Sequence, residues 1–270
     1  MPSLAHALIV AVGWRGAYVL LGLLAMGITI PVVGLFLRET PQTMGLLPDG
    51  RTNDPAERMK QSGLEPGLSG SEVWHTGAFW LMVGAFFLMS VSVHGCIIHL
   101  ASLLTDRGLS SQSAALGTSL LGGGILLGRV GTGYMLDRFF ASSVAVCFFC
   151  GTALGLVLLG SGVVGGLAFV AALLIGLGQG AEFDLMAYMV SRYFGLRAFG
   201  EIYSYTFVAF GLGGVIGPFV MGAAFDATGS YGPMLGAFVV ATLTTAGLMT
   251  RLGPYRVWEP VPEPAIADGI

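Results

Sequence analysis

Charged side chains are scarce in this sequence. Asp, Glu, Lys and Arg make up 10% of its 270 residues, whereas hydrophobic residues make up 54% and the mean hydropathy is +0.81. A water-soluble globular protein needs a solvated surface, so this ratio excludes that class. A bilayer supplies an apolar solvent, which a helix crosses with about 20 consecutive apolar residues. Stretches of that length recur along the chain and predict a polytopic membrane protein.

Reactive motifs are lacking as well. Neither H-E-x-x-H nor G-x-S-x-G occurs, so the sequence offers no support for an intramembrane enzyme. Cys147 and Cys150 form a C-x-x-C that falls in an apolar stretch rather than beside a βαβ unit, which argues against a redox role. His94 and His99 lie roughly 140° apart around a helix and do not form an adjacent metal-binding pair. We therefore predict no catalytic residue, metal or cofactor, and the net charge of −3 gives no indication of nucleic-acid binding.

Seven apolar stretches are long enough to span a bilayer. Helix is the expected form, because each backbone polar group in hydrocarbon must be satisfied within its own segment. The fold class predicted is an all-α membrane protein with seven transmembrane helices, preceded by a half-helix at the N-terminus. The predicted spans cover residues 16–37, 77–104, 112–136, 141–162, 164–190, 200–225 and 232–252.

The basic residues predict the orientation of these spans. Ten of the twelve Lys and Arg residues lie in or beside the connections after the first, third and fifth spans and in the C-terminal tail. Only Arg15 and Arg107 fall on the opposite side. By the positive-inside rule, those connections and the C-terminus are cytoplasmic.

Many of the 43 glycines recur four residues apart inside spans. Small residues on one helical face let backbones approach closely, so these pairs predict tight helix packing. A second interpretation, surfaces that slide or rock in a moving bundle, applies best to the third and sixth spans. In the sixth span Gly217 precedes Pro218, which frees a backbone carbonyl and favours a kink. The pairs are Gly124/Gly128, Gly151/Gly155, Gly162/Gly166, Gly176/Gly180 and Gly213/Gly217.

The stretch 180–207 reads GAEFDLMAYMVSRYFGLRAFGEIYSYTF. It resembles the tenth span, the following loop and the eleventh span of the major facilitator superfamily of transporters, and most closely its branch of oxalate/formate antiporters and monocarboxylate transporters. GRVGTGYMLDR at 128–138 resembles the eighth-span motif. GWR at 13–15, RETP at 38–41, and FD with TGSY at 225–231 resemble further family segments in the right order. One departure is Ser204, where the family pattern has glycine.

The resemblance implies a domain organisation. Residues 1–37 would be the end of the fifth span and the sixth span, 38–76 a cytoplasmic linker, 77–252 the complete C-terminal six-helix bundle, and 253–270 a cytoplasmic tail. Such transporters have twelve spans in two six-helix halves. The first four spans have no counterpart here, so we expect Met1 to be an internal methionine of a truncated gene or a misplaced start. We accordingly expect the 270 residues alone not to catalyse uptake, with a homo-oligomer covering the exposed bundle face.

Ionisable residues inside spans are candidates for function, because lipid exposure costs a few kcal/mol or more. Arg129 lies about 7 Å and Glu182 about 4–5 Å to the cytoplasmic side of the bilayer centre, counting 1.5 Å per residue. By the resemblance, Arg129 binds the carboxylate of the substrate, for which a guanidinium fork is suited. The alternative is a structural arginine that is neutralised by Glu182 or Asp137.

Two carboxylates and one histidine complete the predicted site. Glu182 and Asp184 point roughly 200° apart around their helix, so both cannot face one cavity. Either carboxylate could carry a proton, and Glu182 could also contact substrate; a structural buried pair is the alternative. His94 lies nearer mid-span and either hydrogen-bonds substrate or is a satisfied core histidine.

Three residues at the cytoplasmic rim, Asp137, Arg138 and Arg192, are predicted from the resemblance to steady one conformation during transport. Together with Gly217 and Pro218 they form the predicted gating set. The resulting hypothesis is a secondary transporter of small organic anions, working by alternating access with a proton or counter-anion, in a bacterial inner membrane. The competing hypothesis is a membrane remnant that inserts but completes no pathway.

Overall fold

The structure, a computed structural model, describes residues 2–36 and 66–255. Over those ranges it contains seven helices that are long and apolar enough to cross a bilayer, and one short helix. The predicted all-α membrane fold is confirmed. The helices are α1 (Pro2–Phe36), α2 (Gly70–Val73), α3 (Gly77–Asp106), α4 (Ser111–Leu136), α5 (Ala141–Gly160), α6 (Gly166–Phe194), α7 (Phe199–Thr228) and α8 (Gly232–Thr250).

The chain divides into two units, with α1 from Leu4 onward in one and the helical bundle that begins at Gly67 in the other. Within α1, Gly13 has φ 74 and ψ 165, a conformation outside the helical region that separates two helical stretches. Only glycine adopts such a positive φ without strain. The interruption falls where the sequence predicts the boundary between the half-helix and the first full span.

Helices α3 to α8 each correspond to one predicted span, and local signals account for several of their ends. Helix α4 begins after Ser110, whose hydroxyl accepts a hydrogen bond from the Ser113 amide at 3.2 Å. Helix α7 ends at Gly229, a left-handed C-cap with φ 67. Arg107, just after α3, donates to the carbonyl of Leu159 at 2.6 Å and so caps the C-terminal end of α5.

The bundle is built from two three-helix repeats. Helix α4 packs chiefly against α6, and α3 packs in the same way against α7. Helix α5 packs against α6 and α8, and α8 also packs against α3. The same set of helix contacts results when α3, α4 and α5 are exchanged with α6, α7 and α8. Equivalent helices, such as α3 and α6, are three membrane crossings apart, so they run in opposite directions and the two repeats are antiparallel. This is the inverted-repeat organisation found within each half of major facilitator transporters.

Glycines make the two main crossings close. An added Cβ at Gly128 would collide with the carbonyl of Leu177, and one at Gly180 would collide with that of Ile125. At the α3–α7 crossing, a Cβ at Gly213 would lie 2.7 Å from the Phe87 carbonyl. The predicted tight packing therefore holds for the pairs 124/128, 176/180 and 213/217. It fails for 162/166, where an added Cβ would meet nothing within 4 Å.

The end of the predicted linker is part of the bundle. The Leu68 amide donates to the carbonyl of Phe194 at 2.8 Å, and Gly67 pairs with Gly195 in an isolated antiparallel bridge. Ser69 and Glu72 form a reciprocal capping box at the start of α2. The hydrogen bonds from Ser69 hold the pKa of the Glu72 carboxyl below its usual range. The remainder of the linker, and the tail beyond Tyr255, lie outside the described residues.

Candidate functional site

His94 lies where α3 crosses α7, and its ring is held in one tautomer. Its Nδ1 atom is 3.1 Å from the backbone carbonyl of Ser90, one turn earlier. A carbonyl only accepts, so Nδ1 carries the hydrogen and Nε2 of the neutral ring presents a lone pair. No partner for Nε2 occurs among residues 2–36 and 66–255. His94 is half-buried, so this nitrogen can accept a hydrogen bond or a proton.

Ser90 ties this histidine to the opposite helix. Its buried hydroxyl donates to the carbonyl of Phe210 at 2.6 Å and lies 3.2 Å from Nδ1 of His94. The Phe210 ring stands edge-on to the imidazole, with 5.4 Å between ring centres. A shift of α7 along α3 would therefore disturb the immediate surroundings of His94.

The predicted kink elements Gly217 and Pro218 lie at the same crossing. An added Cβ at Gly217 would collide with the carbonyl of Val91, so the two backbones are in direct contact there. Pro218 has no N–H to donate to the carbonyl of Gly214. The Gly214 backbone faces the imidazole, since its added Cβ would lie 3.6 Å from Cγ of His94.

His99 fastens the other side of this proline turn. Its Nε2 lies 3.1 Å from the carbonyl of Pro218, so that nitrogen carries the hydrogen and donates it. The two histidines of α3 thus have opposite tautomers. His99 has a structural contact across the crossing, whereas Nε2 of His94 remains available.

Arg129 lies on α4 directly after Gly128, which fixes it beside the α4–α6 crossing. Its side chain is exposed, and its guanidinium carbon is 5.4 Å from the centre of the Phe183 ring. That spacing is in the range of a cation–π contact. The alternative of an ion pair with Glu182 is not realised, because neither carboxylate oxygen of Glu182 has a hydrogen-bond partner in the part of the chain described.

Aromatic rings connect Arg129 and His94, two of the three predicted substrate residues. The Phe183 ring, under Arg129, lies 5.1 Å from that of Phe210, which in turn contacts His94. Arg129, Phe183, Phe210 and His94 come from α4, α6, α7 and α3 respectively. Four helices therefore converge at one place, and both repeats contribute to it.

Along α7, four aromatic residues stack one above another, and we call them the aromatic ladder. Their ring centres are 5.7, 5.9 and 6.1 Å apart in sequence order, with interplanar angles of 17°, 27° and 28°. Phe207 is 44% exposed, whereas Phe210 is 4% exposed and lies beneath it. The members are Phe199, Tyr203, Phe207 and Phe210.

The two predicted proton carriers lie in different surroundings, as their angular separation requires. Glu182 is 0% exposed, and both of its carboxylate oxygens lack a partner among the described residues. Gln179, one turn earlier, is also buried with its side-chain carbonyl unsatisfied within that same set. Asp184 is half-buried on another face of α6. A buried carboxylate without partners is costly unless it is neutral, so Glu182 is suited to hold a proton.

The rim residues of the predicted gating set are separate from this site. Asp137 is the exposed C-cap of α4. Arg138 folds back on its own helix, with its guanidinium 3.7 Å from the Tyr134 ring centre and a hydrogen bond to the Tyr134 carbonyl at 3.1 Å. Arg192 lies over the Tyr188 ring at 5.1 Å.

Sequence reasoning missed Ser90, Phe183 and the ladder. The ladder had a visible signal, since residues 199, 203 and 207 are four apart and share one helical face. Ser90 had none, because its partner Phe210 is 120 residues away. Within the described ranges no group of three His, Cys, Asp or Glu residues could hold a metal ion.

Comparisons with known proteins show which family this chain belongs to. The profile of the Major Facilitator Superfamily matches residues 1–218 and again 97–267, and the chain belongs to that superfamily. A crystal structure of the fucose:proton symporter of E. coli shares the fold, with a TM-score of 0.58 at 15% sequence identity over 88% of this chain. This chain spans 56% of the length of that symporter. A search of curated proteins finds no match.

Proposed function

We propose that this chain is part of a secondary transporter for small organic anions such as mono- or dicarboxylates. The observation that carries the proposal is Arg129. A permanent positive charge within a transmembrane helix is costly unless an anion approaches it. Among the described residues, Arg129 lies over the Phe183 ring and forms no ion pair with a carboxylate. A substrate carboxylate would supply the missing negative charge through a bidentate hydrogen bond.

Coupling to a proton or counter-anion would use the two carboxylates of α6. The partnerless, buried Glu182 favours proton uptake there, with Asp184 as the more accessible carboxylate. His94 adds a hydrogen-bond acceptor through Nε2. Substrate contact by Arg129 and His94 would then be separated from proton storage at Glu182.

Alternating access would take place between this bundle and a second six-helix half, of which α1 is the final span. The domain organisation would be the one that the sequence predicts. The remnant of the first half would cover residues 1–37, the linker 38–76, the six-helix bundle 77–252 and the tail 253–270. Gly217 and Pro218 at the α3–α7 crossing would permit the motion. Asp137, Arg138 and Arg192 would act at the cytoplasmic rim of an inner-membrane protein.

The experiment that tests the proposal is binding of labelled oxalate, formate or lactate to the purified protein. Replacing Arg129 by lysine keeps the charge but removes the bidentate fork. We expect binding to weaken about 10-fold or more, on the scale of a lost charge-assisted hydrogen bond. Arg251→Lys is the matched control, because Arg251 is the exposed C-cap of α8 and belongs neither to the site nor to the gating set. Equal binding by wild type and Arg129→Lys would contradict the proposal and favour a membrane remnant or a structural arginine.

A further inference from the structure

The aromatic ladder gives the site a flat, apolar component that a small aliphatic anion would not use. Phe207 is 44% exposed although its ring stacks on Tyr203 and Phe210. The ring centres of Phe183 and Phe207 are 6.3 Å apart, and the Arg129 guanidinium lies over the Phe183 ring. A cation and partly exposed aromatic rings are therefore close together, contributed by three different helices.

Resting on the proposed anion-transport function, we propose that the anion carries a flat conjugated group, so that the substrate class is aryl carboxylates. The carboxylate pairs with the Arg129 guanidinium. The aryl ring lies against Phe207 and Phe183, where offset-stacked or edge contacts are favourable. The Arg129 guanidinium and the Phe207 ring both lie beside Phe183, at 5.4 and 6.3 Å from its ring centre, which suits a ligand with an acid at one end and a ring beside it.

The arrangement favours a flat ligand over a merely apolar one. Ladder rings are nearly parallel, at 17° to 28°, so their faces are aligned in one direction along α7. A planar ring can lie flat against such aligned rings, whereas a puckered saturated ring of the same size makes less contact with them. Discrimination by flatness is thus the property that the ladder predicts.

Three anions distinguish the contributions of charge, apolar size and flatness to binding. Each is titrated into the purified protein in lipid nanodiscs, and binding is measured by calorimetry. Benzoate and cyclohexanecarboxylate have the same charge and similar size but differ in flatness, and acetate has no ring. We expect benzoate to bind about 5-fold more tightly than cyclohexanecarboxylate, in keeping with the strength of aromatic pairs. Acetate should be the weakest of the three.

Two conservative variants assign the preference to the ladder. Phe207→Leu keeps apolar volume but removes the flat face, so benzoate should lose its advantage over cyclohexanecarboxylate. Phe219→Leu is the matched control on the same helix, because Phe219 is 75% exposed and lies outside the ladder. It should leave the ratio unchanged. If Phe207→Leu does not fold, Phe183→Leu supplies the same comparison from α6.

The outcomes distinguish this inference from the proposed function. Equal affinities for benzoate and cyclohexanecarboxylate, both lost in Arg129→Lys, would overturn the aryl inference and leave anion binding intact. A benzoate preference that survives both Phe207→Leu and Phe183→Leu would also overturn it. Absence of binding by all three anions would count against the proposed function itself, with Phe207 then serving as packing surface for neighbouring protein.

Discussion

The Arg129 guanidinium lies 5.4 Å from the centre of the Phe183 ring, although the adjacent residue, Glu182, carries a negative charge when ionised. The reason is helical geometry: adjacent residues point about 100° apart, and Glu182 is turned into the bundle with 0% exposure. Charge and countercharge are thus held on different faces. That separation leaves Arg129 available for an external anion.

The close α4–α6 crossing leads to a first prediction. Gly128→Ala places a methyl group against the Leu177 carbonyl, and we expect a loss of about 1–3 kcal/mol in stability from overpacking. Gly123→Ala is the control on the same helix, since nothing lies within 4 Å of its added Cβ. Thermal unfolding of the purified protein measures both. Equal unfolding temperatures for the two variants would contradict the packing described.

A second prediction concerns the hydrogen bond between α3 and α7. Ser90→Ala removes the donor to the Phe210 carbonyl and should cost about 1 kcal/mol of stability. Ser204→Ala is the comparison, because the exposed Ser204 hydroxyl bonds only to Gly200 within its own helix. The ring nitrogens of His94, observed by ¹⁵N NMR, should remain in the Nδ1–H form in both variants. An Nε2–H form in the wild type would disprove the tautomer assigned here.

A third prediction follows from the capping box before α3. Ser69 lowers the pKa of Glu72, so the stabilisation exists above the unfolded pKa and is lost as pH falls through the folded value, below 4.5. Acidification through that range should lower the protection of the backbone amides of residues 69–74, taken as the exchange rate relative to the intrinsic rate at each pH. Glu72→Gln, which cannot ionise, should show no such step. An identical pH profile for wild type and variant would remove Glu72 from this role.

The fourth prediction tests the orientation. Reporter fusions after Arg58 and after Trp258 should both report the cytoplasmic side, given ten basic residues on that side against two on the other. A periplasmic result for either fusion would overturn the span order as well as the orientation.

Local sequence signals predicted much of this fold, and their limits are physical. Glycines four apart predicted three close pairs, because i, i+4 spacing puts small residues on one helical face. Gly162 and Gly166 share that spacing but lie at the connection between α5 and α6, where Gly162 has φ 80 and serves the turn. Spacing alone cannot distinguish a packed helix face from a loop.

The candidate site was predictable in part for a similar reason. His94, Arg129 and Glu182 stood out because ionisable groups are rare in spans. The spatial arrangement of these residues could not be predicted, since it depends on Phe183 and Phe210, which are ordinary apolar residues in the sequence. Only the convergence of four helices gives those rings a place between the guanidinium and the imidazole.

The most direct test of the central claim is carboxylate counterflow in vesicles that contain the complete transporter. Labelled anion should accumulate transiently in vesicles preloaded with unlabelled anion, and Arg129→Lys should reduce the initial rate about 10-fold or more at equal protein content. Arg251→Lys, at the exposed C-cap of α8, should retain most of the rate. Counterflow by Arg129→Lys at the wild-type rate would contradict the assignment of Arg129 as the carboxylate-binding residue.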